Sequence, residues 1–409
     1  MLVEQLIRET LELQGFRIES VVKAGSELVV TIAPDLRYHP RCGVCGSPGD
    51  YQDTLSERRF RHVPLWAIPV TLVYAPCRVT CPSCKAVHVE SMPWAAGKKW
   101  LTKAFVVTIA TWAKLLPWLQ VARLFNCSWC TVAAAVAYVV AFGLTRRDLS
   151  CITHIGIDEI SRQKGHVYLT NVYDLRSGTL IWSGEGRTKE TLTAFFEFFG
   201  PERTGNLIGI CCDMWPSYIE TIKAKAPNAT LVFDKFHIIR QLSESVDKVR
   251  RQEAAEKEKE HKDVLAGTRY IWLKNPWNLT DRQKASLNFL ETLNLKIHRA
   301  YLLKESFRDL WQSDTRVLAD KFLDQWFLWA MESKIKPMQD FALLLKRHEE
   351  NILSYFDMPI SNGAVEGLNN KAKVISHRAY GFRSAKNYIL NLYHCMGDLP
   401  MPASLHRFA

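Results

Sequence analysis

Three acidic residues stand in three different local settings: Asp158 in HIGIDEI, Asp213 in LIGICCDMWPSY and Glu366 in SNGAVEGLNN. The first two each close a short apolar run, where a strand edge can hold a carboxylate rigidly. The third opens a predicted helix, with Ser361 and Asn362 as cap candidates. Phosphoryl transfer by two divalent ions about 4 Å apart needs a convergent carboxylate cluster of this kind. One ion lowers the pKa of an attacking water and the other stabilises the leaving 3′ oxygen. A freed 3′-hydroxyl can then replace water as the nucleophile. Asp158 with Glu366 or Asp213 can hold one ion, and Asp213 or Asp158 can bridge to the other. Such oxygen ligands favour Mg2+ or Mn2+.

Neighbouring residues divide into candidates for support and for the core. Glu159 adjoins Asp158 but points the opposite way in a regular strand. Asp234, followed by His237, either supports the metal site or the scissile strand, or caps the helix that starts there. Trp215 is either a lid on the core or a stacking platform for an unpaired base. Cys211 and Cys212 read as core residues of a strand.

A second constellation lies upstream. RCGVCG supplies Cys42 and Cys45, and TCPSCK supplies Cys81 and Cys84. Two CxxC turns provide the four thiolates of a closed tetrahedral zinc site, with Cys77, His39 and His88 as spare candidates. No βαβ pattern follows either motif, which weakens a redox reading. Between the pairs, two strands are expected with a turn near Pro64 to Pro69. Arg58, Arg59 and Arg61 would then line the module, with Arg78 beside the second knuckle, as phosphate contacts or as solvated surface. Upstream again, residues 16–34 read as a hairpin turning at Ala24-Gly25.

Residues 102–140 contain three helical pieces: one over about 103–113, one from near Pro117 to Phe125, and one from about Thr131. A short helix, a tight turn and a second helix match a helix-turn-helix, and Ser128, Trp129 and Thr131 would face a major groove. A purely structural bundle is the alternative. Cys127 and Cys130 form another CxxC in that turn without a partner pair, and read as buried thiols.

The elements that must position the acids follow in order. Strands are expected at about 153–159, 166–173 and 179–184, broken at Gln163-Lys164-Gly165 and at DLRSG. A helix at 188–199, a strand ending on Asp213, a helix at 217–226 and a fifth strand ending at Asp234 complete a ribonuclease H-like arrangement. Residues 235–350 then read as almost wholly helical, including a charge-laced run suited to an exposed helix. The expected fold is therefore a multidomain α/β chain. A zinc-binding, DNA-binding module spans 1–100 and a helix-turn-helix spans 101–150. The catalytic domain covers 151–240, is interrupted by a helical insertion at 241–355, and ends at 356–409 with the helices carrying Glu366.

Composition agrees with a polyanionic partner. The net charge is +11, and residues 51–123 carry ten Arg/Lys against three Asp/Glu. A basic surface of that kind binds nucleic acid in a salt-dependent way. The first residues do not read as a signal peptide. The longest apolar stretch, 131–144, is too short for a membrane span, so no membrane is expected.

Taken in order, CGVC, CPSC, GIDE, CDMWPSY, FDKFHI, VRRQE and SNGAVEGLNNKAKVISHRAYGFR resemble the ISL3 insertion-sequence transposase family over nearly the whole chain. The resemblance implies an Asp-Asp-Glu triad at Asp158, Asp213 and Glu366 and zinc on Cys42, Cys45, Cys81 and Cys84. It also implies recognition of terminal inverted repeats and movement of a bacterial element, which places the protein in the cytoplasm with the nucleoid. Bringing two DNA ends and a target together makes a homodimer the expected assembly. The insertion's Trp311, Trp326 and Trp329 are candidate dimer contacts, or simply its core. A structure-specific nuclease of the same fold, or a non-catalytic DNA-binding regulator derived from a transposase, are the alternatives.

Overall fold

The computed structural model describes residues 13, 15–95, 99–163, 167–259, 264–293, 295–360 and 363–403. Ser361, Asn362, Lys164 and Gly165, which the sequence marks as a helix cap and a strand break, lie outside them. The chain forms two compact units, 1–147 with 376–409, and 148–375. The expected 356–409 segment is thereby divided, and its last part clusters with the first unit.

In the first unit, β1 (Phe16–Ala24) and β2 (Glu27–Pro34) form the expected hairpin, and Gly25 supplies the left-handed turn residue. A second hairpin, β4 (Arg58–Leu65) and β5 (Ile68–Tyr74), joins it through parallel pairing of β2 with β5. Alternation along these strands buries Val30, Ile32, Phe60, Leu72 and Tyr74 against Trp94, which Phe16, Phe60 and Tyr74 meet edge-on. Arg58, Arg59 and Arg61 thus belong to this sheet and do not line the cysteine module. The apolar face of β5 finds its partner in β2 rather than beside the cysteines. The module is instead a separate sheet of β3 (Asp50–Thr54), β6 (Cys77–Cys81) and β7 (Ala86–Val89), in the order β3-β6-β7.

Three helices follow: α1 (Lys103–Leu115), α2 (Trp118–Leu124) and α3 (Trp129–Leu144). Thr102 caps α1 and Ser128 caps α3, each accepting a backbone N–H two or three residues into its helix. Between α2 and α3 the chain turns through 110°, with Asn126 in the left-handed region at φ 44°. Phe105, Ile109, Val121, Val132, Val136 and Val139 form their core. Near the C-terminus, Leu399 packs so closely on α3 that a Cβ at Gly143 would lie 2.5 Å from its own. Among the described residues no single helix is long and apolar enough to cross a membrane.

The second unit is built on a five-stranded sheet of β8 (His154–Gln163), β9 (Val167–Asp174), β10 (Leu180–Glu185), β11 (Gly209–Cys212) and β12 (Thr230–Phe233). Its order is β10-β9-β8-β11-β12, antiparallel through the first three strands and parallel from β8 onward. Helices α4 (Lys189–Phe199), α5 (Pro201–Gly205) and α6 (Pro216–Lys225) make the connections. After β12 the described residues are mostly helical, from α7 (Lys235–Lys259) to α13 (Glu349–Asp357). One continuous apolar core joins sheet and helices, from Ile155 and Phe195 to Trp272, Phe307 and Trp326. The charged run on α7 is not all solvated. Glu253 is buried and accepts the backbone N–H groups of Lys296 and Ile297, capping α10 (Lys296–Ser306). Helix α14 (Gly363–Arg378) carries Glu366 in its first turn, and α15 (Ala385–Met396) follows.

Candidate metal centres

Asp158 lies midway along the central strand β8, and Asp213 directly follows β11 beside it, so parallel pairing sets the two acids at one end of the sheet. His237 reaches them from the first turn of α7. One ligand atom from each of Asp158, Asp213 and His237 falls within 4.8 Å of the others.

The protein environment is tuned for charge at this point. Burial, then the neighbouring Asp213, pushes the Asp158 carboxyl up to about 7, while His237 opposes the shift. Burial alone would lower His237, but hydrogen bonding to Asp213 and Asp234 holds it up at about 10. Nδ1 of His237 lies 2.9 Å from Asp234 Oδ2 and 2.6 Å from Asp213 Oδ1. The Nδ1–H bonds to Asp234, and the protonated ring forms a close ion pair with Asp213. Asp213 Oδ1 is buried, with the His237 ring as its close ion-pair partner. A carboxylate oxygen in that condition, beside a second carboxylate, fits a cation ligand.

Asp158 is oriented by two donors. Its own strand gives the Glu159 N–H at 2.7 Å, and Asn369 Nδ2 on α14 donates at 2.6 Å. Asn369 in turn accepts from Tyr173 at 2.8 Å, Tyr173 from Asn171, and Asn171 from Ser183. This buried polar chain crosses β9 and β10 on the face shared with Asp158, since Asn171 is the register partner of Asp158. Asn369 lies one helical turn beyond Glu366 in SNGAVEGLNN and is not among the candidate site residues read from the sequence. Polar residues at alternate positions of β9, Asn171 and Tyr173, were the available signal.

Glu366 is exposed on α14, one turn before the asparagine that grips Asp158, and is outside the Asp158, Asp213 and His237 group. Glu159 points away to Tyr218, and burial raises its carboxyl. Asp234 is buried and serves His237 at the start of α7. Trp215 is partly exposed, and the Arg187 guanidinium lies 4.8 Å from its ring and 4.5 Å from that of Tyr168. Cys211 and Cys212 are core residues, fully buried.

The four cysteines also converge. Cys42 and Cys84 place their Sγ atoms 4.0 Å apart and Cys45 and Cys81 3.4 Å apart, with all four within 4.8 Å. A tetrahedron with Zn–S bonds of about 2.3 Å has edges of about 3.8 Å, so the group fits zinc, and these gaps are too long for disulfides. Backbone N–H groups of Val44 and Cys84 point at Cys42 and Cys81 sulfurs, 3.4 Å away, as stabilised thiolates require. Gly43 is needed because a Cβ there would sit 2.4 Å from the Val89 carbonyl oxygen. Cys77 and the CxxC at Cys127 and Cys130 are separate from this group. Cys130, expected to be buried, is exposed, because the first turn of α3 faces it away from Val132 and Val136.

The basic candidates already have partners within the protein. Arg59 pairs with Glu27 at 2.8 Å and Arg78 with Asp53, while Arg58 donates to the Lys99 carbonyl. Arg61 donates to the carbonyls of Phe125 and Asn126, which closes the C-terminus of α2. Ser128 and Thr131 bond to each other across the α3 cap, and Trp129 is partly exposed against Trp118.

A family model described as Transposase, the ISL3 type of DDE transposase, matches residues 155–392. A transposase for insertion sequence element IS1557 of Mycobacterium tuberculosis is 31% identical over 390 residues, covering 89% of this chain and 87% of its own. A transposase for insertion sequence element IS1001 of Bordetella parapertussis is 28% identical over 385 residues, covering 93% and 95%. With a sheet that brings two acids to one edge, a four-cysteine cluster and a match of this extent, the chain belongs to the ISL3 family of transposases.

Proposed function

We propose that this chain binds the terminal inverted repeats of a bacterial insertion sequence and cleaves and transfers DNA strands with two divalent ions. The observation that carries the reading is the convergence of Asp158, Asp213 and His237, with Asp213 Oδ1 buried, at the end of a five-stranded sheet. The strand order, three antiparallel then two parallel, supports a ribonuclease H-like catalytic domain. Asp158, Asp213 and Glu366 are the acids that would hold Mg2+ or Mn2+, and Cys42, Cys45, Cys81 and Cys84 would hold structural zinc. When bound, the divalent ions lower the pKa of an attacking water and neutralise charge at the leaving oxygen. Asn369 orients Asp158, and Asp234 fixes the His237 ring beside Asp213. The 110° turn between α2 and α3, with its left-handed Asn126, supports a helix-turn-helix whose Ser128, Trp129 and Thr131 end meets DNA. Such a protein works on the nucleoid in the cytoplasm, and as a dimer when it pairs two ends.

Asp158→Asn, Asp213→Asn and Glu366→Gln are each expected to lower strand cleavage by about a thousandfold or more, the scale of losing a metal-held reaction geometry. Binding to terminal duplexes should persist. Ordinary cleavage by Glu366→Gln together with loss in His237→Ala would move the third position from Glu366 to His237.

A further inference from the structure

An exposed aromatic residue in a strained backbone conformation lies where α14 ends. Gly381 N–H bonds to the Ser376 carbonyl and Tyr380 N–H to that of His377, the paired bonds of a Schellman stop. The left-handed position of that motif normally holds glycine, yet here Tyr380 occupies it at φ 56° and is 99% exposed. A bulky side chain in this conformation is unfavourable, and full exposure offers no packing in return. Backbone strain without a structural return is a pointer to function.

The turn is held firmly to the helical part of its own unit. Arg378 donates to the carbonyls of Lys114 and Leu115, closing the C-terminus of α1. Phe382 stacks on Tyr388 at 5.3 Å and meets Trp118 at 5.8 Å, and Trp118 meets Trp129 at 5.2 Å. The ring of Tyr380 therefore projects from an aromatic base that it shares with the start of α3. Charge identifies the partner. Within this unit, residues 91–147 and 376–397 contain no Asp or Glu, while they carry seven and three Lys/Arg respectively. A surface of one sign over two separate stretches fits a polyanion and disfavours a typical protein partner.

We propose that Tyr380 is a DNA-contacting residue that stacks on a base at a distorted step of the element end, with Arg383 and Lys386 facing the flanking phosphates. This rests on the DNA-end reading above and adds a contact outside both the acidic cluster and the helix-turn-helix. Stacking on an aromatic side chain is sequence-tolerant, so the contact would sense distortion more than sequence.

Zinc-loaded full-length protein can be titrated onto two labelled duplexes, one taken from DNA flanking its coding sequence and one of random sequence. Parallel samples carry 2-aminopurine near the end. Tyr380→Gly should keep or raise the melting temperature, since glycine suits the turn, yet weaken binding to the flanking duplex about tenfold, the scale of one lost stack. It should also abolish the 2-aminopurine signal, and Tyr380→Phe should restore both. Equal affinity of wild type and Tyr380→Gly would overturn this contact alone. A wild type that binds neither duplex would overturn both readings. A Tyr380→Gly variant that loses self-association but keeps DNA affinity would reassign the turn to a second copy and overturn the contact with DNA.

Discussion

Asn369 is the one side chain of the two donors that orient Asp158. It donates to the acid and accepts from Tyr173 inside a buried polar chain, so its loss leaves two groups unsatisfied. Asn369→Leu is expected to cost about 1–3 kcal/mol of stability and to lower cleavage more than DNA binding. Urea unfolding beside a cleavage assay would check this, and unchanged activity would remove Asn369 from the site. Another buried polar group, His394 on α15, has neither ring nitrogen hydrogen-bonded. Burial, with Lys114 nearby, drops its pKa from 6.5 to about 3. A depressed value means the folded state resists protonation. The stability this site contributes is complete above the unfolded value and is lost as pH falls from about 6.5 toward 3. His394→Leu should spare the first unit a few kcal/mol of that acid loss, read as a smaller difference between urea midpoints at neutral and acid pH. Identical midpoint shifts would exclude His394 as the source. Asp158 and Asp213 could be read from sequence because each ends an apolar run. Asn369 and His394 could not, since their significance depends on groups brought near by folding.

Element boundaries were legible to within a few residues wherever a strong local signal existed. The three-strand meander, the alternating helices and strands after it, and the three helices over 102–140 each rest on periodicity, turns or caps. The pairing of those elements was less legible. The β4–β5 hairpin joins β1–β2 because β5 finds a parallel partner 42 residues upstream, counted from Leu28 to Val70, and no local pattern encodes that. Glu253 shows the same limit, since the amides it caps lie 43 and 44 residues on. The β4–β5 turn itself makes a testable case. Trp66 and Ala67 both take left-handed conformations, at φ 51° and 65°, where Asn-Gly is preferred. Replacing the pair by Asn-Gly should stabilise the hairpin by about 1 kcal/mol and raise the melting temperature of the first unit. A lower melting temperature would mean that the exposed indole of Trp66 contributes packing that outweighs the strain.

At the scale of the molecule, the second unit and the cysteine module rest on different kinds of support. The second unit has one continuous apolar core extending from the sheet through the helices to Leu353, large enough to fold without a metal. The three-stranded cysteine module has far less to bury: among the described residues its apolar cluster holds only Cys42, Cys77, Cys81 and Val79 as buried members. A sheet of that size with so small a core depends on metal ligation for its folding free energy. Chelation, or Cys42→Ser, should therefore unfold the module and weaken DNA binding while leaving the second unit folded. Calorimetry should show one transition moving down sharply and another staying in place, with metal analysis giving about one zinc per chain before chelation and none after. Hydrogen exchange would locate the change, with amides of β3, β6 and β7 losing protection while those of β8 and β11 keep it. A single transition that shifts as a whole would show that the two units fold as one cooperative body. Full protection of β6 after complete zinc removal would show that the cysteines pack well enough to hold the module without metal.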